Sequence, residues 1–191
     1  EICDKVFAKI DGGYCFHDME GFVDWSSKGS ESETEGVKSV FCIGLNRAKR
    51  IFDALGIYDY CEKCRKYVEI LKKDSGKVKV NQRIAGINIF AERGTEYDIE
   101  KVSGASVENM SSFFGFYVLI AKCMLGQASE CMDVIKEFWG GMLKMGATTF
   151  WEDFDIEWMK NAIPITEIVP PGKDDIHGDF GKYCYKGFRH S

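Results

Sequence analysis

Apolar stripes at helical spacing, punctuated by glycine, constrain this chain more than any other feature. Val37, Val40, Phe41, Gly44, Leu45, Ala48, Ile51, Phe52 and Leu55 recur at steps of three and four, and Gly56 follows them. That spacing gathers apolar side chains on one helix face. A glycine just past the stripe suits a left-handed C-terminal cap. The next stripe carries Ile57, Tyr60, Cys61, Cys64, Tyr67, Val68 and Leu71, and the turn residues Asp74-Ser75-Gly76 end it. Ile84 to Ala91 reads as a shorter helix. A second pair repeats the design. Met110, Phe113, Phe114, Tyr117, Ile120, Ala121 and Met124 stop at Gly126. Ala128, Cys131, Met132, Ile135, Phe138, Trp139, Met142 and Leu143 follow. Helices joined by so short a loop pack antiparallel. The sequence therefore predicts an all-α fold, an array of αα-hairpins over residues 36–160.

Two regions break the pattern. Residues 11–36 are rich in Gly, Ser and acids and read as loop. Residues 161–191 hold all three prolines and read as an irregular C-terminal tail with room for short strands. An open solenoid would show a repeated consensus, and none is present. The hairpin hinges are short, whereas the connections 92–108 and 144–151 are long or motif-bearing. That asymmetry fits part of an (α/α)6 toroid with function-bearing loops on one rim. The Phe- and Met-rich stripe of residues 110–143 reads as core filling for such a helix-packed interior.

Composition narrows the partners. At 191 residues and 45% hydrophobic, the chain is long enough for one domain with a sizeable core. No run of 18 apolar residues occurs, so no membrane span is expected. The segment Glu1-Ile2-Cys3-Asp4-Lys5 lacks the regions of a signal peptide. A net charge of −5 without a basic stripe argues against a nucleic-acid partner. Most of the eight cysteines sit at apolar positions of helical stripes, where a reduced thiol acts as a small hydrophobe. That usage leans towards a cytoplasmic setting.

The chemistry concentrates at Gly146-Ala147-Thr148-Thr149-Phe150-Trp151-Glu152-Asp153. A flat aromatic beside a carboxylate serves a sugar site: the ring stacks on the pyranose, and the carboxylate moves a proton or binds hydroxyls. Gly146 permits a turn, and Thr148 or Thr149 can cap a following helical turn. Glu152 and Asp155 would then share a helix face. The competing reading makes the acids helix caps and Trp151 a core residue.

Gly146 to Glu152 resembles the Gly-Ala-Thr-Thr-x-Trp-Glu signature of the α-L-rhamnosidase family of glycoside hydrolases. Phe22-Val23-Asp24-Trp25 is similar to that family's Gly-Asp-Trp loop, and Phe113-Phe114-Gly115-Phe116-Tyr117 to its Gly-aromatic helix. The likeness spans roughly residues 20–160. It implies an (α/α)6 barrel and inverting hydrolysis of a terminal α-L-rhamnose, with a rhamnose-containing carbohydrate as ligand and no cofactor or metal. In such hydrolysis one carboxylic acid protonates the leaving oxygen while a carboxylate activates water on the opposite face. By resemblance Glu152 is the base and Trp151 lines the sugar site. Asp24 and Trp25 are substrate contacts.

The chain also departs from the family. No acid-rich motif matches the family's general acid, and Glu31, Glu33 and Glu35 do not share its spacing. Gly21 to Asp24 reads Gly-Phe-Val-Asp. About five or six helices are too few for a twelve-helix toroid. The expectation is a C-terminal part of a barrel, inactive alone, which completes its site with the remainder of a parent polypeptide. Its uncovered apolar faces would promote self-association. Two other classes fit the same features: another (α/α)6 carbohydrate enzyme (phosphorylase, lyase or other hydrolase), or a non-catalytic helical sugar-binding or interaction module. Cys61-Glu62-Lys63-Cys64 lies on an apolar stripe without a second pair of ligands and reads as core. Asp174-Asp175-Ile176-His177-Gly178-Asp179 holds oxygen and imidazole donors but lacks EF-hand spacing and reads as a polar loop.

Overall fold

A computed structural model describes residues 1–13, 31–151 and 154–176. The fold is all-α, 63% helical with seven α-helices among the described residues. They gather into two compact units, Glu1–Val102 and a second that starts at Ser103.

The first unit holds α1 (Ile2–Asp11), α2 (Glu31–Ala54), α3 (Tyr58–Lys73), α4 (Gln82–Phe90) and α5 (Glu96–Ser103), whose last residue crosses into the second. The α2–α3 hairpin turns at Gly56, with φ +71, as the glycine predicts. The Gly56 N–H bonds to the Asp53 carbonyl at 3.0 Å and the Ile57 N–H to Phe52 at 2.8 Å, which is the Schellman pattern. Phe7 and Ile10 of α1 pack with Cys42, Leu45, Cys64, Val68 and Leu71, and the Phe7 ring stacks on Tyr67 at 4.3 Å. Asn81 caps α4: its side chain accepts from the Arg83 and Ile84 N–H groups, both at 3.0 Å. Every residue from Arg83 to Ile89 is buried, as befits a helix enclosed on all sides.

The structure departs from the sequence expectation in three places here. Helix α2 begins at Glu31, inside the stretch read as loop. Its first turns bury Glu33, Glu35, Lys38 and Ser39, a polar face that hydropathy cannot register. Helix α5 occupies part of the connection 92–108. It opens with a capping box in which Asp98 Oδ2 accepts from the Thr95 N–H at 2.8 Å and from the Thr95 hydroxyl at 2.7 Å. Helix α1 arises from an N-terminal stretch that carried no helix expectation.

A polar network fills the junction of α2, α4 and α5. Arg93 bonds to Glu35 Oε2 at 3.1 Å, Ser39 Oγ at 2.7 Å and the Leu71 carbonyl at 3.0 Å. Lys38 bridges Glu35 at 2.9 Å and Asp74 at 2.6 Å. Ser39 donates to Asn88 Oδ1 at 2.5 Å, and Asn88 donates to Asp98 Oδ1 at 3.1 Å. Burial alone would raise the Asp74 carboxyl, but hydrogen bonds from Lys38 and Lys77 outweigh it and hold the group below its ordinary value.

The second unit holds α6 (Gly115–Met124), α7 (Ala128–Lys144), a 3-10 helix (Ile156–Lys160), β1 (Ala162–Ile163) and β2 (Asp174–Asp175). The strands pair in parallel, Ala162 opposite Asp174. Helix α6 starts later than the stripe from Met110 implies, because Asn109 takes φ +54 and Ser111 Oγ accepts from the Phe114 N–H at 3.1 Å. The core joins Val118 of α6 and Val134, Phe138 and Met142 of α7 to Trp151, Phe154 and Ile176. Helix α7 is apolar on two sides. Cys131, Val134, Phe138 and Met142 are buried, while Met132, Ile135 and Leu143 are exposed. No helix among the described residues is long and apolar enough to cross a membrane.

Candidate functional site

The segment from Gly146 starts where α7 stops. Gly146 adopts φ +91. Its N–H bonds to the Leu143 carbonyl, and the Ala147 N–H to the Met142 carbonyl, each at 3.0 Å. A Cβ here would also lie 2.6 Å from Ile165 Cγ1. Dihedral and space therefore both demand glycine.

Thr148, Thr149 and Phe150 are exposed, Phe150 to 71%. The next residue turns inward: Trp151 is 3% exposed. Its ring meets Phe154 edge-on at 5.8 Å. Phe154 in turn meets Phe138 at 5.5 Å and Trp158 at 6.0 Å. The Ser112 hydroxyl donates to the Trp151 carbonyl and ties this segment to the stretch before α6. Asp155 then caps the 3-10 helix, its Oδ1 accepting from the Glu157 N–H at 2.9 Å.

This geometry corrects the local sequence expectation. The helical turn described after this segment is the 3-10 helix, and its cap is Asp155, whose backbone is extended. Asp155 thus holds no helical position three residues beyond Glu152. Trp151 and Phe154, on either side of residues 152–153, meet in one ring cluster.

Glu152 and Asp153 lie outside the described residues, as do Asp24 and Trp25. The structure does fix both flanks of the pair 152–153, Trp151 before it and Phe154 after it. The indole of Trp151, expected as a stacking face, is enclosed by the core, and the open ring in this segment is Phe150. Sequence reasoning gave no role to Ser112. Its contact spans 39 positions and leaves no local pattern.

Cys61 and Cys64 are buried in the α3 seam, and burial first, with neighbouring Cys3 second, pushes the Cys64 thiol up to about 11. Asp174 accepts from Asn161 Nδ2 at 2.6 Å. His177 to Asp179 lie outside the described residues. Among the described residues, no group of three or more His, Cys, Asp or Glu side chains is placed to hold a metal ion. In comparisons with known proteins, no family model and no curated protein sequence matches this chain.

Proposed function

We propose that this chain forms part of an (α/α)6 glycoside hydrolase that removes terminal α-L-rhamnose with inversion, Glu152 acting as the general base. The carrying observation is the segment Gly146–Glu152. It joins the rhamnosidase-like residues to a backbone held by a glycine-only turn and two buried rings. Catalysis needs a well-positioned carboxylate, and the buried rings of Trp151 and Phe154 on either side of residues 152–153 support that role. Glu152 takes a proton from water as the water attacks the anomeric carbon; a second carboxylic acid protonates the departing oxygen. Trp151 holds the base strand from within the core, and Phe150 offers the exposed apolar surface suited to a deoxy-sugar's methyl group. The apolar residues exposed on α2 (Val40, Ile51), in the hinge after it (Leu55) and on α7 (Met132, Ile135, Leu143) support further helices around the hairpins.

The test is cleavage of an aryl α-L-rhamnoside by the complete natural polypeptide, followed by proton NMR. The β-anomer of the free sugar is expected first, with no dependence on phosphate. Absence of turnover, first release of the α-anomer, or a strict phosphate requirement would each reject inverting hydrolysis.

A further inference from the structure

The α6–α7 hairpin carries two thiols that the proposed hydrolysis does not use. Cys123 sits near the end of α6 and Cys131 in the first turns of α7, with their sulfurs 3.6 Å apart. Cys123 is exposed; Cys131 is 6% exposed and its thiol points at the Leu119 carbonyl, 3.4 Å away. The residue before each cysteine belongs to an ion pair: Lys122 Nζ lies 2.8 Å from Glu130 Oε2. Lys122 also donates to the Ser103 carbonyl at 3.2 Å. The hinge between the helices is closed by the Gln127 N–H bonding to the Lys122 carbonyl at 2.9 Å. Ion pair and hinge therefore hold the two helix ends in register at the level of the thiols. Bond formation needs the sulfurs to close to about 2.05 Å. Side-chain rotation can supply most of that movement without separating the helices.

We infer that Cys123 and Cys131 form a thiol–disulfide exchange site that takes a low-molecular-weight disulfide of the glutathione type and closes to an intramolecular disulfide. The exposed Cys123, as thiolate, attacks one sulfur of the small disulfide. A Cys123–S bond forms, the small S–S bond breaks, and one small thiolate leaves and is protonated. Cys131, once deprotonated, attacks the Cys123 sulfur, forms the Cys123–Cys131 bond and expels the second small thiol. Two protein thiols lose two electrons in all, and one small disulfide becomes two thiols. The order follows from access and acidity. Burial first, and the Cys123 side chain second, raise the Cys131 thiol above its ordinary value, so the exposed partner reacts first.

The test uses the folded chain with glutathione disulfide, acid quenching, alkylation and trypsin. Residues 123–136 make one tryptic peptide containing these two cysteines and no other. That peptide is expected to lose two hydrogens and resist alkylation, while the fully buried Cys42 stays reduced. In Cys131→Ser, Cys123 should instead retain a glutathione adduct; in Cys123→Ser, Cys131 should stay unmodified. The thermal midpoint of the oxidised chain should rise by about 5 °C and return with dithiothreitol. A wild-type peptide that keeps glutathione on Cys123 with Cys131 free, or that stays reduced in both positions, overturns the inference.

Discussion

The two units add different interactions to their apolar cores. In the first, Arg93, Glu35, Lys38, Asp74, Ser39, Asn88 and Asp98 form a buried network in which each charge has a partner. In the second, Phe138, Trp139, Trp151, Phe154 and Trp158 meet edge to face, and among the described residues Lys122, at 1% exposure, is the buried charge. The contrast has consequences. An ionic junction is directional, responds to pH and fails sharply when one member is removed. A ring cluster is indifferent to pH and fails in proportion to lost volume. Trp151, next to the proposed base in sequence, belongs to the ring cluster.

The largest expected effect breaks the first unit. Glu35→Ala leaves the Arg93 guanidinium buried without its carboxylate and should cost about 3–5 kcal/mol, read by urea unfolding. Trp139, Trp151 and Trp158 all lie in the second unit, so in a Trp25→Phe background tryptophan fluorescence reports that unit. Its midpoint should move less than that of far-ultraviolet circular dichroism, and an equal shift in both would erase the distinction between units. Next, Gly146→Ala combines a positive φ with a Cβ placed against Ile165 and should cost about 1–3 kcal/mol. This loss should appear in the fluorescence transition.

Asp74→Asn comes third, at about 1–2 kcal/mol near pH 7. The Asp74 carboxyl is held below its ordinary 3.8. Its contribution is therefore present above that value and lost as pH falls through the folded pKa. The gap between Asp74→Asn and wild type should shrink in acid. A gap that widens there would refute the assigned ion pair. Smallest is Ser112→Ala, about 0.5–1.5 kcal/mol from one hydrogen bond to the Trp151 carbonyl. A neutral substitution would show that this strand is held by its rings alone.

The same contrast explains what the sequence made legible. Gly56 and Gly126 both take positive φ and end helices as expected, because a left-handed cap is a local demand. The buried seam of α7 follows apolar spacing through Cys131, Phe138 and Met142. The start of α2 has no apolar signature, because Glu33, Glu35, Lys38 and Ser39 face inward and a polar run reads as loop. Helix α5 was hidden for the same reason, its inward Asp98 matching no apolar stripe, although Thr95-x-x-Asp98 carries a capping-box signal. At the site, Gly146 was legible as a turn. The inward rotation of Trp151 was not, since it depends on Phe154, Phe138 and Trp158 closing around it. The tie from Ser112 is long-range and has no local signature.

The central claim is that Glu152, in the segment after α7, acts as a general base. Its most direct test is the turnover of an aryl α-L-rhamnoside by the complete polypeptide, wild type against Glu152→Gln. Turnover should fall by about 10²- to 10⁴-fold with the tryptophan unfolding midpoint unchanged. A Glu152→Gln protein that retains near-wild-type turnover contradicts the claim.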